Sequence, residues 1–500
     1  MDSFAANLGL GVATAFTLQN IGLCFLGCLI GTLVGVLPGV GPIATIAILL
    51  PITFQLEPTG ALIMLAGIYY GAQYGGSTTA ILVNIPGEAT SVVTTLDGHQ
   101  MAKQGRAGIA LGIAAIGSFF AGTVATLTIA ALGIPLTKLA LLFGPAEYFS
   151  LMALGLAFAV VLARGSLLKA GGMIFVGVLL STIGTDLDTG EERLTFGISS
   201  LVDGIDFVVL AMGLFGFAEV LRNLESTETR DVVKGAIGRL LPGKEEFRQS
   251  AKPILRGTLI GGILGSLPGN GAVLGPFASY TMEKRLAKQP QRFGRGAIEG
   301  VAGPESANNA GAQTAFIPLL TLGIPPNAVM ALMVGAMTIH GIIPGPLVMT
   351  KSPDLFWGMI VSMWFGNLML LVINLPLIGV WVRLLKVPYR LMFPSILIFC
   401  CIGMYSINNS GEDVVLTAFF GLFGYALYKF GFEPAPLLLG FVLGKLMEEK
   451  LRQAMILARG NLMTFIERPV SAVLLVLALV IIVVAVLPAV RRGREEAFQE

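Results

Sequence analysis

The sequence predicts an all-α polytopic membrane protein with about 12 transmembrane segments, arranged as two inverted repeats that each contain broken helices or helical hairpins. Three observations support this prediction. Of the 500 residues, 55% are hydrophobic and 12% are charged, whereas soluble domains are about one quarter charged. Long apolar runs recur along the chain, and mean hydropathy is +0.82. One motif, Gly-x-Leu-Pro-Gly-x-Gly, occurs twice, at 35–41 and 265–271, inside such runs.

The apolar runs define the individual segments. A membrane-spanning helix needs about 20 apolar residues, and several runs meet that length, while shorter ones suit hairpins or half-helices. The predicted segments lie at about 8–30, 31–50, 61–86, 108–134, 139–163, 167–184, 205–221, 254–280, 310–343, 355–382, 391–407, 414–447 and 470–490.

The basic loops predict the orientation. Lys and Arg are concentrated in 222–256, 283–295, 383–390 and 491–494, and such loops stay in the cytoplasm. The acidic stretch 186–192 is placed outside. The sequence then divides into an N-terminal transmembrane repeat at 1–222, a charged cytoplasmic linker at 223–253 and a C-terminal transmembrane repeat at 254–500.

Equivalent loops of the two halves carry opposite charge bias. The loop 51–60 has no Lys or Arg, while its counterpart 283–295 has several. The bias reverses in the next pair, because 97–106 is basic and 344–354 holds only Lys351. An inverted repeat predicts this reversal. A duplication with parallel topology remains the alternative.

The repeated Leu-Pro-Gly motif predicts a helix break in each half. Pro removes a backbone donor and Gly permits positive φ. Freed N–H groups attract anions, and freed carbonyls can coordinate Na⁺. A kink needed only for packing is the alternative. The predicted cation-binding positions at the motifs are Gly39, Gly41, Gly269, Asn270 and Gly271.

A second polar segment follows in each half, at 75–80 and 306–311, and is predicted to be a further break. Thr79-Ala80 matches Thr314-Ala315, and Ile85-Pro86 matches Ile324-Pro325. Hydroxyls that merely bond back to the i−4 carbonyl are the alternative. The predicted substrate-binding residues are Ser77, Thr78, Thr79, Asn84, Ser306, Asn308, Asn309 and Thr314.

Fixed charges are scarce in the apolar segments. A charge at membrane depth is costly and usually functional, so an anionic substrate would be held by helix N-termini, hydroxyls and amides. Glu88 and Glu305, each beside a predicted break, are candidate cation ligands or proton carriers; an N-cap or a water-facing carboxylate is the alternative. No catalytic or metal cluster stands out, so an enzyme is not expected. The four cysteines and both histidines suit structural roles.

These motifs resemble the large membrane subunit of the tripartite tricarboxylate transporter family, the TctA type, over nearly the whole chain. Gln313 and Thr314 stand where smaller residues are expected, which leaves carboxylates other than citrate open. The stretches that carry the resemblance are 35–42, 74–88, 96–102, 183–186, 195–197, 203–206, 304–309 and 322–325.

The resemblance implies a multi-pass permease subunit of the bacterial inner membrane. It implies two protein partners, a small membrane subunit of the TctB type and a periplasmic solute-binding protein of the TctC type that delivers a citrate-like tricarboxylate or related carboxylate. Symport driven by Na⁺ or H⁺ is expected, without a cofactor and without nucleic acid. A stand-alone ion-coupled organic-anion transporter, which needs no binding protein, is the closest alternative.

Overall fold

The protein is built almost entirely of helices, as its composition predicts. The computed structural model describes residues 4–37, 41–163, 166–186, 189–225, 237–268, 271–385 and 389–487. Within these ranges the strands form one short antiparallel ribbon, β1 Gly184–Thr185 with β2 Glu192–Arg193. The prediction of an all-α polytopic membrane protein is confirmed.

The helices before the ribbon build the first half of the molecule. A 3₁₀ turn at Ala89–Ser91 leads directly into α5. The helices are α1 Phe4–Ala15, α2 Leu18–Val36, α3 Pro42–Thr53, α4 Pro58–Val83, α5 Val92–Lys103, α6 Ala107–Ala140, α7 Pro145–Leu162 and α8 Leu167–Ser181.

The helices after the ribbon begin with one span interrupted by a π-helical segment at Met212–Phe217, between α9 Phe207–Ala211 and α10 Ala218–Glu225. The others are α11 Lys244–Gly265, α12 Gly271–Leu286, α13 Glu299–Thr314, α14 Phe316–Leu322, α15 Ala328–Ile339, α16 Leu347–Lys351, α17 Pro353–Asn374, α18 Ile378–Leu384, α19 Tyr389–Asn408, α20 Gly411–Lys429, α21 Pro434–Leu457, α22 Thr464–Glu467 and α23 Pro469–Val486. Short 3₁₀ turns lie at Ser199–Leu201 and Pro290–Arg292.

Six helical stretches of the described chain are long and apolar enough to cross a membrane. Several further helices are apolar but shorter, including α3 and α15 with 12 residues each. The count of about 12 crossings therefore stays a prediction. The six are Leu18–Val36, Ala107–Ala140, Pro145–Leu162, Phe207–Glu225, Pro353–Asn374 and Pro469–Val486.

A glycine seam joins two helices in each half. Every fourth residue of α2 from Gly27 to Gly35 is a glycine, and the same is true of α11 from Gly257 to Gly265. A Cβ atom at any of these glycines would lie 2.0–2.4 Å from a carbonyl oxygen of α4 or α13, respectively. Small residues at such spacing allow membrane helices to approach closely, so the two seams fix α2 on α4 and α11 on α13.

The seams also give the direction and register of the helices. In the first half, Gly27 lies against Met64 and Gly35 against Ala72, so α2 and α4 run parallel. In the second half α11 and α13 are parallel as well, because Gly257 lies against Gly303 and the seam ends at Gly311. The seams thus place Ala72 and Gly311 at equivalent positions, an offset of 311 − 72 = 239.

The equivalent helices α4 and α13 run antiparallel to each other. Ser77 of α4 contacts Glu305 of α13. Gly98 of α5 lies against both Ile81 of α4 and Val301 of α13. Residue numbers therefore increase along α4 in the direction in which they decrease along α13. Each half packs a long helix against the other half: α6 of the first half lies mainly on α13, and α17 of the second half lies on α4 and α2.

The helices break at both Leu-Pro-Gly motifs, as predicted. α2 ends at Val36 and α3 begins at Pro42, while α11 ends at Gly265 and α12 begins at Gly271. Gly39, Gly269 and Asn270 lie outside the described residues.

The prediction of a second break at 75–80 and at 306–311 is wrong. α4 is helical through Val83 and α13 through Thr314. The small residues serve packing, because a Cβ atom at Gly75 would lie 2.3 Å from the carbonyl oxygen of Thr32. A single-residue interruption at Ala315 separates α13 from α14. Pro318 has no backbone N–H group to donate to the carbonyl of Thr314.

Two predicted segment boundaries are also wrong. The boundary at 30/31 falls inside α2, because Gly31 belongs to the glycine seam. The segment 414–447 contains parts of two helices, α20 and α21, separated at residues 430–433. Of the predicted linker 223–253, residues 226–236 lie outside the described chain and residues 244–253 form the start of α11.

Candidate functional site

Two short helices begin inside the protein at equivalent positions. The chain leaves α4 at Asn84 with φ 62° and leaves α14 at Gly323 with φ 74°. Four residues later, Glu88 caps the 3₁₀ turn that leads into α5, and Asn327 caps α15. Residues 84 and 323, and likewise 88 and 327, are 239 positions apart, which is the offset found between the two glycine seams. Both caps have extended backbone, with φ −151° and −153°.

The start of α5 is packed into the molecule. A Cβ atom at Gly87 would lie 2.3 Å from the carbonyl oxygen of Gly35 and 2.5 Å from Cα of Gly76. The backbone therefore returns from Asn84 to the end of α2. The first turn after Glu88 is buried. A helix N-terminus carries a partial positive charge and free N–H groups, so this place suits an anion.

The start of α15 is equally enclosed. Asn327 is 7% exposed, and its Oδ1 accepts the backbone N–H of Met330 at 2.9 Å. Its side chain also lies close to the hydroxyl of Tyr69 on α4. Both half-helices thus begin next to α4, one in each half of the chain.

Glu305 is the central buried acid. It is 0% exposed and lies in the middle of α13. Its Oε2 accepts the hydroxyl of Ser77 at 2.5 Å, and its Oε1 accepts the hydroxyl of Thr94 on α5. Glu305 of the second half is therefore held by two hydroxyls of the first half.

Glu88 forms a neighbouring cluster. Its Oε1 accepts the hydroxyl of Thr90 at 2.6 Å and Nδ2 of Asn308 at 3.4 Å. Thr90 also contacts Oε1 of Gln73 at 3.0 Å. The Oδ1 of Asn308, which is 1% exposed, has no hydrogen-bond partner. The cluster therefore contains one hydrogen-bond acceptor without a donor, Oδ1 of Asn308, next to the half-buried carboxyl of Glu88.

Further amides line the contact between α13 and α6. Nδ2 of Asn309 donates to the hydroxyl of Ser118 at 2.6 Å, and the hydroxyl of Thr126 donates to Oε1 of Gln313 at 2.5 Å. Oδ1 of Asn309 and Nε2 of Gln313 have no partner. Buried polar atoms are normally paired, so these two atoms are available to a further hydrogen-bond partner.

A small cavity opens between α4, α6 and the end of α17. Its volume is about 10 Å³, which holds about one water molecule. A cavity of this volume is too small for a citrate-sized molecule. The hydroxyl of Tyr74 and Oδ1 of Asn374 are both unpaired. The cavity is lined by Tyr74, Ser77, Thr78, Leu111, Ala114, Ala115, Ser118, Asn374 and Leu375.

The cluster has acids but no basic partner. Within the described residues, neither Glu88 nor Glu305 takes part in an ion pair. The same residues hold no group of three His, Cys, Asp or Glu side chains that could bind a metal ion. Any cation here would be held by one or two carboxyls together with neutral oxygens.

The predicted substrate residues separate into two groups. Ser77 and Thr78 lie at the cavity, and Asn308 and Asn309 lie beside it with an unpaired oxygen each. The other predicted residues are occupied or distant. The hydroxyl of Thr79 donates to the carbonyls of Val36 at 2.8 Å and Gly35 at 3.3 Å. The hydroxyls of Ser306 and Thr314 donate to carbonyls of their own helix, those of Ala302 at 2.8 Å and Ala310 at 3.0 Å. Asn84 is exposed.

Thr79 has a structural role that the sequence did not reveal. Its hydroxyl reaches the carbonyl of Val36, the last residue of α2. A helix end leaves its last carbonyls without intrahelical donors. Thr79 therefore satisfies a carbonyl that the Leu-Pro-Gly break has freed.

The other predicted cation ligands are only partly placed by the structure. Gly41 caps α3 with extended backbone, φ −76°. Gly271 is packed so tightly that a Cβ atom would lie 1.8 Å from the carbonyl oxygen of Leu264. Of the predicted acids, Glu88 lies beside a break as expected, whereas Glu305 lies within a continuous helix.

Several residues of the site were missed from the sequence. Thr94 and Ser118 contact Glu305 and Asn309, yet they are single hydroxyls in helices without a distinctive motif. Tyr74 stood within the family-like stretch 74–88 but was not singled out. Their roles come from contacts with the other half of the chain, which spacing does not encode.

The remaining singled-out residues are structural. His99 is 6% exposed and its Nδ1 contacts the carbonyl of Ile81 at 3.0 Å. Cys24 and Cys28 are buried, with their thiols near carbonyls of Ser362 and Gly366 on α17. These contacts agree with the packing roles expected from the sequence.

Two proteins are similar to this chain, one of them over its whole length. A protein of Agrobacterium vitis named "Uncharacterized 52.8 kDa protein in TAR-I ttuC' 3'region" is 58% identical over 500 residues, which covers 100% of both chains. A second, "Uncharacterized protein in TAR-II ttuC' 3'region" of the same organism, is 60% identical over 240 residues, covering 48% of this chain and 99% of that protein. No solved structure matches.

The family comparison agrees with the motifs. The model of the Tripartite tricarboxylate transporter TctA family matches residues 21–439. That range contains both Leu-Pro-Gly motifs, both half-helices and every residue of the buried polar cluster. The chain therefore belongs to the TctA family, the membrane subunits of tripartite tricarboxylate transporters.

Proposed function

We propose that this chain is the permease subunit of a tripartite secondary transporter. It imports a citrate-like tricarboxylate or a related carboxylate that a periplasmic binding protein of the TctC type delivers. A Na⁺ or H⁺ gradient drives the import. A small membrane subunit of the TctB type completes the complex in the bacterial inner membrane. Membership of the TctA family supports this assignment.

One observation supports carboxylate transport most directly. The half-helices that begin at Glu88 and Asn327 both start inside the protein next to α4. Their N-termini offer positive dipole ends at membrane depth, the arrangement that transporters use for anionic substrates. Neutral hydroxyls and amides at the cavity supply further donors, with Ser77 and Thr78 nearest. Such a site binds a carboxylate without a fixed positive charge.

The same geometry supports an inverted repeat and alternating access. Equivalent helices α4 and α13 run antiparallel, and each half repeats a glycine seam, a Leu-Pro-Gly break and an internal half-helix. In inverted repeats the substrate site lies where the halves meet. Movement of one bundle past the other would widen the narrow cavity first toward one side of the membrane and then toward the other.

Transport by purified components tests the proposal. Proteoliposomes would contain this chain and its small membrane partner, and labelled citrate and a panel of labelled di- and aromatic carboxylates would be offered with and without the binding protein. Uptake that requires both the binding protein and an imposed ion gradient supports the tripartite transporter. Gradient-driven uptake that needs no binding protein would favour a stand-alone carrier. Absence of uptake for every carboxylate by a folded complex would contradict the proposal.

A further inference from the structure

The charge of Glu305 needs a balancing partner, because no described residue forms an ion pair with it. The carboxyl is 0% exposed and contacts only the hydroxyls of Ser77 and Thr94 through its side chain. Burying an unpaired carboxylate costs far more free energy than burying a neutral acid. A proton or another cation must therefore accompany Glu305 whenever the site is closed to water.

Ser77 connects this carboxyl to the cavity. Its Oγ lies 2.5 Å from Oε2 of Glu305, and the same residue lines the cavity. A serine hydroxyl has one hydrogen and two acceptor lone pairs. When Glu305 is ionised, that hydrogen is donated to Glu305, and Ser77 presents lone pairs to the cavity. A substrate carboxylate in the cavity would then face the lone pairs of Ser77 Oγ, which cannot donate a hydrogen bond to it.

Protonation reverses the direction of this contact. A protonated Glu305 donates its own hydrogen to Oγ of Ser77, and the hydrogen of Ser77 becomes free to turn toward the cavity. There it can bind a substrate carboxylate; without substrate it can remain on the carbonyl of Gln73, 3.0 Å away. We infer that Glu305 carries a proton transported together with the carboxylate, and that Ser77 transmits its protonation state to the substrate site.

The second hydroxyl links the same event to the half-helix. Thr94 lies on α5, and it donates to the other oxygen of Glu305. One turn further, Asp97 accepts the backbone N–H groups of Gly296 and Ala297, both at 2.8 Å. The half-helix is thus fixed to the second half of the chain at two points. Loss of the negative charge on Glu305 weakens one of them, which couples the proton to movement between the halves.

The titratable and charged groups on the elements around Glu305 include no ion-pair partner for its carboxyl among the described residues. From α4 comes the hydroxyl of Tyr74, and from the loop before α5 comes Glu88. On α5, Asp97 holds backbone amides and the hydroxyl of Tyr280, while His99 contacts a carbonyl. From α11 and α12 come Arg256 and Glu283, which bind each other at 2.7 Å. α6 contributes the neutral Ser118.

The comparison of the halves singles out Glu305 rather than Glu88. At the offset of 239, Glu88 corresponds to Asn327, so an amide occupies the same N-cap position in the other half. Glu305 corresponds to Ala66 (305 − 239), so its carboxyl has no counterpart. Hydroxyls already contact both of its oxygens, and a metal ion would have to displace them. A single proton fits this arrangement.

The inference rests on the proposed function, and two assays separate them. Wild-type proteoliposomes with the binding protein receive either an inward pH gradient or an inward Na⁺ gradient, with the labelled carboxylate that the uptake panel identifies. Carboxylate counterflow is measured in parallel without any ion gradient. We expect the pH gradient to drive accumulation at equal Na⁺.

The decisive variant is Glu305→Gln, which keeps a neutral side chain able to donate to Ser77. Accumulation driven by the pH gradient should fall to the level without a gradient, while counterflow is retained and no longer depends on pH. Glu299→Gln makes the same change at the start of the same helix, where Glu299 pairs with Arg292, and should leave coupling unchanged.

Ser77→Ala supplies a second test, because it removes the connection and leaves the carboxyl. Carboxylate counterflow should weaken and lose its dependence on pH. Two results would overturn the inference while the transporter stands: accumulation by Glu305→Gln under a pH gradient, or wild-type accumulation driven by Na⁺ alone. Absence of both uptake and counterflow in the wild type would instead refute the proposed function.

Discussion

The glycine seam gives a sharp prediction, because two adjacent glycines of α11 have different surroundings. A Cβ atom at Gly261 would lie 2.0 Å from the carbonyl oxygen of Ala307, whereas one at Gly262 would meet only a methyl group of Thr314, at 3.8 Å. Since ordinary contact begins at 3.4 Å, Gly261→Ala requires α11 and α13 to separate locally by up to 3.4 − 2.0 = 1.4 Å.

That displacement has an expected magnitude. Overpacking of this kind costs about 1–3 kcal/mol, and occasionally more. Both substitutions gain helix propensity of about 1 kcal/mol, so Gly262→Ala should be neutral or stabilising while Gly261→Ala is destabilising. Because α13 holds Glu305, Asn308 and Asn309, the displaced helix should also impair carboxylate uptake.

The assay is the temperature at which half of the detergent-solubilised protein remains monodisperse, measured for both variants, together with uptake in proteoliposomes. We expect a lower temperature and reduced uptake for Gly261→Ala alone. Equal behaviour of the two variants would refute the argument that the seam fixes α11 on α13.

Three further predictions concern buried hydrogen bonds. Thr79→Val removes the hydroxyl that donates to the carbonyl of Val36 and should lower the free energy of unfolding by about 1–3 kcal/mol. Thr314→Val removes only a bond to its own helix and should cost less, so equal melting temperatures of the two variants would contradict the role of Thr79. Asp97→Ala leaves the backbone N–H groups of Gly296 and Ala297 without their acceptor and should lower thermal stability by a similar amount; an unchanged melting curve would count against a stabilising role of these two bonds. Arg452→Met removes a bidentate partner of Asp186, so limited proteolysis between 183 and 206 should be faster than in the wild type, and an equal rate would disprove the contact.

The sequence predicts the membrane class and both Leu-Pro-Gly breaks because composition and Pro-Gly pairs act locally. It misplaces the second breaks for a physical reason. Gly75 looks like a residue that ends a helix, but it lets α2 approach, while Asn84, a non-glycine residue, adopts the positive φ of 62°. A sequence does not distinguish a glycine needed for conformation from one needed for close contact.

The candidate site shows the same limit. Ser77 and Glu305 are both predictable as polar residues in apolar surroundings, yet they are 228 positions apart and their contact follows from the packing of α4 on α13. Ser306 and Thr314 look equally suitable from the sequence, but their hydroxyls bond back to their own helix. Only the tertiary arrangement separates hydroxyls that face the cavity from those that do not.

The most direct test of the account is a structure of the protein with its transported carboxylate bound. We expect the carboxylate to lie between the two halves, within hydrogen-bond distance of Ser77 and facing the N-terminus of α5 or α15. A carboxylate bound away from that region, for example among α7, α8 and α21, would contradict the proposed site and the coupling mechanism built on it.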